Sequence, residues 1–575
     1  MDAVLEARNR IVSRRGGALP FVGRVLAATR GESVLVERIL HLDEDLYLAD
    51  HAFVHAPGVK PLSACLPVLP MTMSIEAMAE VAACVVPGQG LIGVEAIKAT
   101  RWIDLVDAES AILAIEARLD RYDPQRDATF VRAAIRAEGQ SGPSIEATLL
   151  FGRHYLLELF PDFGALDVGA ALRIDAARLY AERHLFHGPA FRCLFGEVFV
   201  EERRIAGHLR IPSSAGLFRS MAEPQLLLQP CVLDAICQMV GVYAMQRDRY
   251  AFPVGLGKLE LYRPTPPAGR LVPVRIELRK TDGKTIHADV EAEDGEGGVW
   301  MRIADLRCWK FQWERCLVDY RRAPGQFLLG RPAPVGGSAD GPLVLYLAEP
   351  DLGKFDPRML ARDCLGLEEA AVYESHARFP ARQRQWLLGR TVAKDCVRRW
   401  ISDRTGAEMA HPAAILIRSD PAGRPYVAGE DGREVLLPHV SIAHCEDRAI
   451  AAAHSGRVGV DIERIADRGD GFLAAVAGPD EREKVNALGT ARRAEWITRV
   501  WGAKEAVGKL LGSGVDGRLK SLEAVDFSPE GSIRIQDRET MSAYAVETIE
   551  SNGFIIACVT EDVPLPPRGE ECASA

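Results

Sequence analysis

The pattern of apolar and polar positions divides the chain into two stretches of different texture. From about residue 20 to 312, apolar residues recur at every second position in segments such as Ala111–Leu119 (AILAIEARL), Ser144–Phe151 (SIEATLLF) and Val272–Leu278 (VPVRIEL). A period of two sends alternate side chains to opposite faces of a pleated backbone, so these segments are expected as β-strands. Two segments carry the helical period instead. Met71–Val85 places Ile75, Met78, Ala79 and Ala82 on one face, and Pro230–Ala244 does the same with Leu233, Ile236, Cys237 and Val240. Strands, one long helix and more strands, followed by the same again, predict a duplicated unit in which a sheet wraps a helix. No visible sequence repeat accompanies the duplication.

A break follows. Arg322–Gly341 (RAPGQFLLGRPAPVGGSADG) concentrates Pro, Gly, Ser and Ala, a linker composition. The expected boundaries are 1–320 for a first domain, 321–341 for the linker, 342–562 for a second domain and 563–575 for a disordered tail. In the second domain Ala381–Trp400 reads as a basic helix, Val440–Ala452 and Val458–Ile465 as strands, and Thr490–Leu511 as a long helix. The fold class is α+β.

Composition narrows the setting. A chain of 575 residues exceeds one hydrophobic core, and 48% hydrophobic with 26% charged residues is the balance of a globular protein. A net charge of −10 gains nothing from a phosphate backbone, so no nucleic-acid partner is expected. The N-terminus lacks the apolar segment of a signal peptide and no run approaches a membrane span, so a cytoplasmic location without a membrane partner is expected. The twelve cysteines form no C-x-x-C pair and no zinc-spaced cluster, which points to reduced thiols.

Candidate chemistry in the second domain begins at Gly459-Val-Asp461-Ile-Glu463. Residues two apart on a strand share a face, so Asp461 and Glu463 stand together while Val460 and Ile462 enter the core. Two carboxylates held that close repel, and a hard cation such as Mg²⁺ relieves the repulsion. The second element, Trp501-Gly-Ala-Lys504-Glu505-Ala-Val-Gly-Lys509, has a spacing that places Trp501, Lys504, Glu505 and Lys509 on or near one helical face. A third carboxylate flanked by ammonium groups suits a pyrophosphate–metal complex. Taken singly, a D-x-E strand is an ordinary exposed sheet face and a Lys/Glu-rich helix an ordinary solvated one.

Together and in this order, the two elements resemble the signature motifs of phosphopantetheinyl transferases of the surfactin-synthetase type. Arg384–Lys394 (RQWLLGRTVAK) looks like the first helix of that family, Gly423-Arg424-Pro425 like its G-K-P turn, and Ser441–His444 (SIAH) like its S-x-S-H strand, with Ala443 at the second serine. The resemblance implies a pseudo-twofold α+β domain that moves 4′-phosphopantetheine from coenzyme A to the serine of an acyl carrier protein. It implies Mg²⁺ on Asp461, Glu463 and Glu505. Glu505, or a water it orients, would take the serine proton, and Lys509 would offset charge on the transferred phosphate. It places Arg424 and His444 on the nucleotide phosphates, with Arg384, Arg390, Lys394 and Lys504 as further coenzyme A contacts. The alternative for His444 is a core histidine satisfied by backbone.

In the first domain, His51 lies in Tyr47-Leu-Ala-Asp-His51, and Asp234 and Gln238 share a face of the second helix within an apolar segment. A carboxylate on an apolar face must be paired, hydrated or functional. A histidine and a carboxyl group facing each other in an apolar cleft could divide an elimination, one as base and one as acid. These features resemble the dehydratase domains of modular and iterative polyketide synthases, which have a double hot-dog fold. The Y-L-x-D-H start, the Leu233–Gln238 helix and the Phe252-Pro-Val-Gly strand leading to Tyr262 match in order. Phe186–Phe191 (FHGPAF) looks like the Y-G-P-x-F segment, with His187 in place of the usual aromatic and His55 at the glycine position that follows His51. Leu66–Ala82, and the fusion to a C-terminal transferase, look like the enediyne-type iterative synthases.

This second resemblance implies a β-hydroxyacyl or polyene thioester substrate, with His51 as base and a neutral Asp234, oriented by Gln238, as acid. A dimer through the dehydratase half is one assembly it allows. Three alternatives stand beside it: a non-catalytic docking module, a hot-dog thioesterase, and a metal on the i, i+4 pair His51/His55, for which no third ligand lies nearby in sequence.

Overall fold

The computed structural model describes residues 19–54, 61–157, 159–164, 169–336, 341–428, 437–488, 492–512, 519 and 521–561. His55, residues 337–340 of the expected linker and the expected tail 563–575 lie outside the described residues. The chain forms two compact units that divide between Trp313 and Glu314.

The first unit is built from strands β1 (Arg24–Thr29), β2 (Ser33–His41), β3 (Gly90–Ala99), β4 (Ser110–Asp123), β5 (Ala128–Ala137), β6 (Ile145–Gly152), β7 (Leu172–Asp175), β8 (Leu194–Val200), β9 (Arg204–Arg210), β10 (Tyr250–Leu261), β11 (Leu271–Thr281), β12 (Thr285–Glu293) and β13 (Val299–Phe311). Helix α1 (Met71–Ala83) interrupts the first six strands and α2 (Pro230–Met245) the rest. The strands form one sheet in the order β1-β2-β4-β5-β6-β3-β10-β13-β12-β11-β9-β8-β7. Apart from the edge strand β7, the order is a palindrome. Strands β1-β2-β4-β5-β6-β3 correspond to β8-β9-β11-β12-β13-β10, and each set holds its helix between its second and third strands in sequence. The two halves meet where β3 pairs antiparallel with β10, from Gly93↔Glu260 to Lys98↔Gly255. This is the double hot-dog architecture, with the duplication expressed in topology.

The period-two segments behave as expected. Val272, Val274, Ile276 and Leu278 of β11 are all buried while Arg275 and Glu277 alternate with them. The helices go further than their patterns. Each is expected to bury one stripe, yet a sheet wrapped around a helix leaves it almost no wet face, and eleven residues of α1 are buried, Glu76 and Glu80 among them. Main-chain donors meet both carboxyl groups: Glu76 accepts from Leu227 N at 2.6 Å and Leu228 N at 2.7 Å, and Glu80 accepts from Phe21 N at 2.6 Å through one oxygen while its Oε1 is buried without a partner. Burial pushes both carboxyls up, Glu76 to about 7.

The second unit has two sheet-and-helix layers. Strands β14 (Arg331–Pro332), β15 (Leu343–Ala348), β16 (Leu416–Ser419), β17 (Pro425–Ala428), β18 (His439–Cys445) and β19 (Arg448–His454) form a sheet ordered β14-β15-β19-β18-β17-β16. Helix α3 (Pro380–Thr405) packs on it, starting at Pro380, whose missing N–H is harmless in a first turn. Strands β20 (Val458–Arg464), β21 (Leu522–Phe527), β22 (Ile533–Asp537), β23 (Ala543–Ser551) and β24 (Phe554–Thr560) form the other sheet, ordered β20-β24-β23-β22-β21. Helix α4 (Arg493–Leu511) lies against it and ends at Gly512 in the left-handed conformation.

The segment expected as a linker from residue 321 is, over its described part, folded into this unit. A short helix, Arg315–Arg322, buries Tyr320, whose hydroxyl donates to Asp395 of α3 at 3.0 Å. Leu329 N and Gly330 N donate to the other carboxylate oxygen of Asp395 at 2.7 and 3.0 Å. Proline and glycine mark irregular backbone there, and a buried carboxylate supplies the hydrogen bonds that irregular backbone cannot make to itself. Among the described residues no helix is long and apolar enough to cross a membrane.

Candidate active sites

In the first unit, His51 ends a 3₁₀ turn, Leu46–His51, and meets Asp234 of α2. Its Nδ1 lies 2.8 Å from Val68 O. A carbonyl only accepts, so Nδ1 carries the hydrogen and Nε2 of the neutral ring carries the lone pair. That Nε2 is 3.9 Å from Asp234 Oδ1. Phe53, Phe186 and Phe191 surround the imidazole with ring centroids 5.1 to 6.2 Å away. Burial among these rings lowers the His51 pKa to about 4, against the opposing pull of Asp234, so the ring is neutral as a base requires.

A third side chain, not assigned a role from the sequence, completes the group. His187 Nε2 lies 3.1 Å from Asp234 Oδ2. The neighbouring glycine explains how it arrives there: a Cβ on Gly188 would overlap the Asp50 carboxylate. Gly188 N donates to Asp50 O at 2.7 Å and Ala190 N to Asp50 Oδ2 at 2.8 Å, so the H-G-P segment is pinned to the residue before His51. Gln238 donates from Nε2 to Asp234 Oδ2 at 2.8 Å and to Phe191 O at 3.0 Å, and its Oε1 accepts from Tyr180 at 2.7 Å.

Burial alone would raise the Asp234 pKa, but His187, His51 and Gln238 together hold it below its ordinary value, which favours the carboxylate over the neutral acid. His55, the other member of the i, i+4 pair with His51, lies outside the described residues. Among the described residues, the group of three whose ligand atoms lie within 4.8 Å of one another is His51, His187 and Asp234. The exchange of an aromatic for His187 before Gly-Pro was the sequence signal for it.

In the second unit β20 is pressed against α4. A Cβ on Gly459 would overlap the Ala506 carbonyl, so only glycine permits this approach. The approach brings Lys509 Nζ 2.8 Å from Asp461 Oδ1 and 3.2 Å from Val460 O. Asp461 is buried, and its Oδ2 has no hydrogen-bond partner. Burial pushes its carboxyl up, with Lys509 opposing and Glu463 adding to the rise. Glu463 accepts from Trp501 Nε1 at 3.1 Å and pairs with Arg468 at 2.6 Å. Trp501, Glu505 and Lys509 share the half-buried face of α4 at i, i+4 and i+8. An orphaned buried carboxylate oxygen beside a second carboxylate fits a divalent cation. The oxygens of Asp461, Glu463 and Glu505, all described residues, are not gathered within 4.8 Å of one another.

Lys509 also lines a cavity of about 180 Å³ with Arg424, His439, Ser441 and Arg457. Three cations and an imidazole face it; Lys509 pairs with Asp461 at 2.8 Å and Arg457 with Glu561 at 3.6 Å, while Arg424 Nε is buried there without a partner. Burial and the neighbouring Arg424 and Arg457 lower the His439 pKa. Ser441 Oγ accepts from Val460 N at 3.1 Å and ties the cavity to the Asp461 strand. Arg457 and His439 were missed in the sequence because they lie outside the recognised motifs, at the end of a loop and the start of a strand.

Five expected coenzyme A contacts do not line this cavity. Lys504 is fully buried on another side of α4, where Nζ binds Glu481 at 2.8 Å and Val476 O at 2.7 Å. Lys394 is fully buried on α3, with Nζ on Glu369 and 3.0 Å from both Cys364 O and Pro412 O. The two lysines occupy the same structural position in the two halves. Glu481 accepts from Gly478 N at 2.6 Å and Ala524 N at 2.7 Å, and Glu369 accepts from Gly366 N at 3.4 Å and Ile417 N at 3.3 Å. Each lysine–glutamate pair thus ties a long helix, a short helix and a strand. Arg390 is buried and donates to Ile417 O at 2.9 Å. Arg384 is at the surface, 3.1 Å from Glu349 and beside a different cavity. His444 is exposed on β18 and is not among the residues lining the Arg424 cavity.

With this geometry in view, the relatives fall into two groups. Residues 457–559 match the 4′-phosphopantetheinyl transferase superfamily. Residues 165–314 match the family described as the polyketide synthase dehydratase N-terminal domain. The chain therefore carries a polyketide synthase dehydratase domain followed by a 4′-phosphopantetheinyl transferase domain. It is 25% identical over 126 residues to the 4′-phosphopantetheinyl transferase psf-1 of Bacillus pumilus, covering 22% of this chain and 52% of that protein. The chain thus spans about half the length of that curated relative. Among solved structures it is similar to the dehydratase domain from the CurF module of curacin polyketide synthase, at 17% identity and a TM-score of 0.39 over 51% of this chain and 100% of that one. GphF dehydratase 1 is similar at 19% identity and a TM-score of 0.36, over 51% of this chain and 99% of that one.

Proposed function

We propose that the second unit transfers 4′-phosphopantetheine from coenzyme A to the serine of an acyl carrier protein, and that the first dehydrates a β-hydroxyacyl thioester carried on that arm. The setting is an iterative, enediyne-like polyketide synthase in the cytoplasm. The observation that carries the reading is the cationic cavity of Arg424, Arg457, His439 and Lys509 placed directly against Asp461. Arg424 and Arg457 would bind the nucleotide phosphates by charge. Asp461, Glu463 and Glu505 would hold Mg²⁺, which when bound supplies neutralisation of the pyrophosphate. Glu505, on the half-buried face of α4, would accept the proton of the carrier serine, and Lys509 would offset charge on the transferred phosphate. In the first unit His51 Nε2, already stripped of its proton, would take the α-proton of the thioester. The edge strand β1, exposed at all six residues, supports a dimer through this half.

The test uses the full chain with coenzyme A, Mg²⁺ and an apo carrier protein. Release of 3′,5′-ADP with a carrier mass increase of one phosphopantetheine is expected, lost in Asp461→Asn and in excess EDTA. Wild-type turnover persisting in EDTA would sink the metal assignment. A β-hydroxyacyl-pantetheine surrogate tests the other half. Enoyl product supports dehydration, free acid a thioesterase, and unchanged substrate a docking module.

A further inference from the structure

The reading above leaves one buried titratable group of the first unit without a task. His187 is 7% exposed, its Nε2 lies 3.1 Å from Asp234 Oδ2, and its Nδ1 is buried with no hydrogen-bond partner. The polar chain that ends on Asp234 fixes where protons sit. Leu194 N donates to the Tyr180 hydroxyl at 3.3 Å, and that hydroxyl donates to Gln238 Oε1 at 2.7 Å. The Gln238 amide is oriented by Phe191 O, which only accepts, so Nε2 is the atom that donates to Asp234 Oδ2. Every link delivers a donor toward Asp234, and the carboxylate is the terminal acceptor. His187 Nε2 then bears a hydrogen, while His51 Nε2, 3.9 Å from Asp234 Oδ1, bears none. A buried Nδ1 left unpaired is expected where a ligand supplies the missing partner.

We propose that His187 is the general acid of the elimination, with Asp234 as the carboxylate that holds its imidazolium in place and His51 as the base. The proposal rests on the dehydratase reading of this unit. His51 Nε2 takes the α-proton, the C–H electron pair forms the Cα=Cβ bond, and the Cβ–O bond breaks. The hydroxyl leaves as water with the Nδ1 proton of His187. His51 ends protonated and His187 neutral, and exchange with solvent restores both. The arrangement is a carboxylate–imidazole pair of the kind that steadies a positive ring in other proton-transfer sites. The groups facing His187 are His51 from the 3₁₀ turn and Asp234 and Gln238 from α2. Arg192, whose Nε donates to the His187 carbonyl at 3.0 Å, Asp50, Tyr180 and Cys193 lie around them.

The sign of one substitution separates this from an acid role for Asp234 alone. If Asp234 were the acid, removing the His187 cation would raise its neutral fraction, and His187→Phe would dehydrate as fast as wild type or faster. If His187 is the acid, His187→Phe and His187→Gln should each lower dehydration of a β-hydroxyacyl-pantetheine surrogate by about 10²–10⁴-fold. His187→Gln keeps a donor toward Asp234, so its loss of rate cannot come from a broken fold. Exchange of α-deuterium, which His51 performs, should persist in both. A second measurement needs no turnover. Imidazole ¹⁵N shifts of the full chain, assigned by the signal lost in His187→Phe, should show His187 protonated on both nitrogens at pH 7, and on one only in Asp234→Asn. A neutral His187 in wild type overturns the proposal even if dehydration is never observed, and absent dehydration with a cationic His187 rejects the dehydratase reading instead. Stoichiometric zinc in the purified chain, lost in His187→Phe, would make the three side chains a metal centre and also overturn it.

Discussion

Lys504→Ala tests whether this lysine is a ligand contact or a structural tie. Its side chain is fully buried, and its Nζ reaches Glu481 Oε1 at 2.8 Å, Val476 O at 2.7 Å and Leu519 O at 3.3 Å. Burial lowers the pKa of the ammonium and Glu481 opposes that fall, so the charge persists because of the pair. Truncation would leave a carboxylate that is 2% exposed without its counter-ion. Breaking a buried pair from one side costs about 3–5 kcal/mol, a large share of a typical total of about 5–15 kcal/mol. With a urea dependence of about 3 kcal/mol per molar, the unfolding midpoint of the second unit should fall by about 1 M or more. The assay is urea unfolding of the full chain, with hydrogen exchange over α4 to assign the transition. Arg457→Ala is the contrast, since its side chain is 48% exposed and lines the cationic cavity. It should raise KM for coenzyme A and leave the midpoint in place. An unchanged midpoint in Lys504→Ala, with a raised KM, would refute the structural assignment and restore the contact with coenzyme A.

Gly459→Ala should displace β20 from α4, lowering stability by about 1–3 kcal/mol and reducing transfer far more than stability, as read by urea unfolding beside carrier loading. Glu76→Ala should destabilise the first unit by about 2–5 kcal/mol, because two buried N–H groups lose their acceptor, and thermal unfolding against Glu76→Gln, which keeps one acceptor, checks it. Since the folded-state pKa of His51 is about 4 against an ordinary 6.5, its contribution to stability is fully present above pH 6.5 and is lost as pH falls toward 4. The loss amounts to about 3 kcal/mol. A His51→Phe chain should show a flatter stability curve across that window, and an equally steep one would count against the buried, neutral ring.

Local periodicity determined much of this protein. The alternation in Val272–Leu278 and the stripes of Met71–Val85 and Pro230–Ala244 needed no tertiary information, because pleat and helix repeat at fixed spacing whatever they pack against. The D-x-E strand and the Trp501/Glu505/Lys509 face were legible for the same reason, and the motif order around them carried both domain resemblances. Tertiary structure decided what each face meets. Lys504 and Lys394 read as exposed cations because a helical sequence does not say which side is covered, and both proved to face buried glutamates that come from short helices elsewhere in the chain. Glu76 and Glu80 sit on the polar side of an apparently amphipathic helix, which the wrapped sheet leaves no water to meet. The lowered pKa of Asp234 was beyond the sequence altogether. It depends on His187, forty-seven residues away and brought to 3.1 Å by a glycine with no room for a side chain, and a pKa is set by neighbours in space, which spacing along a chain does not encode.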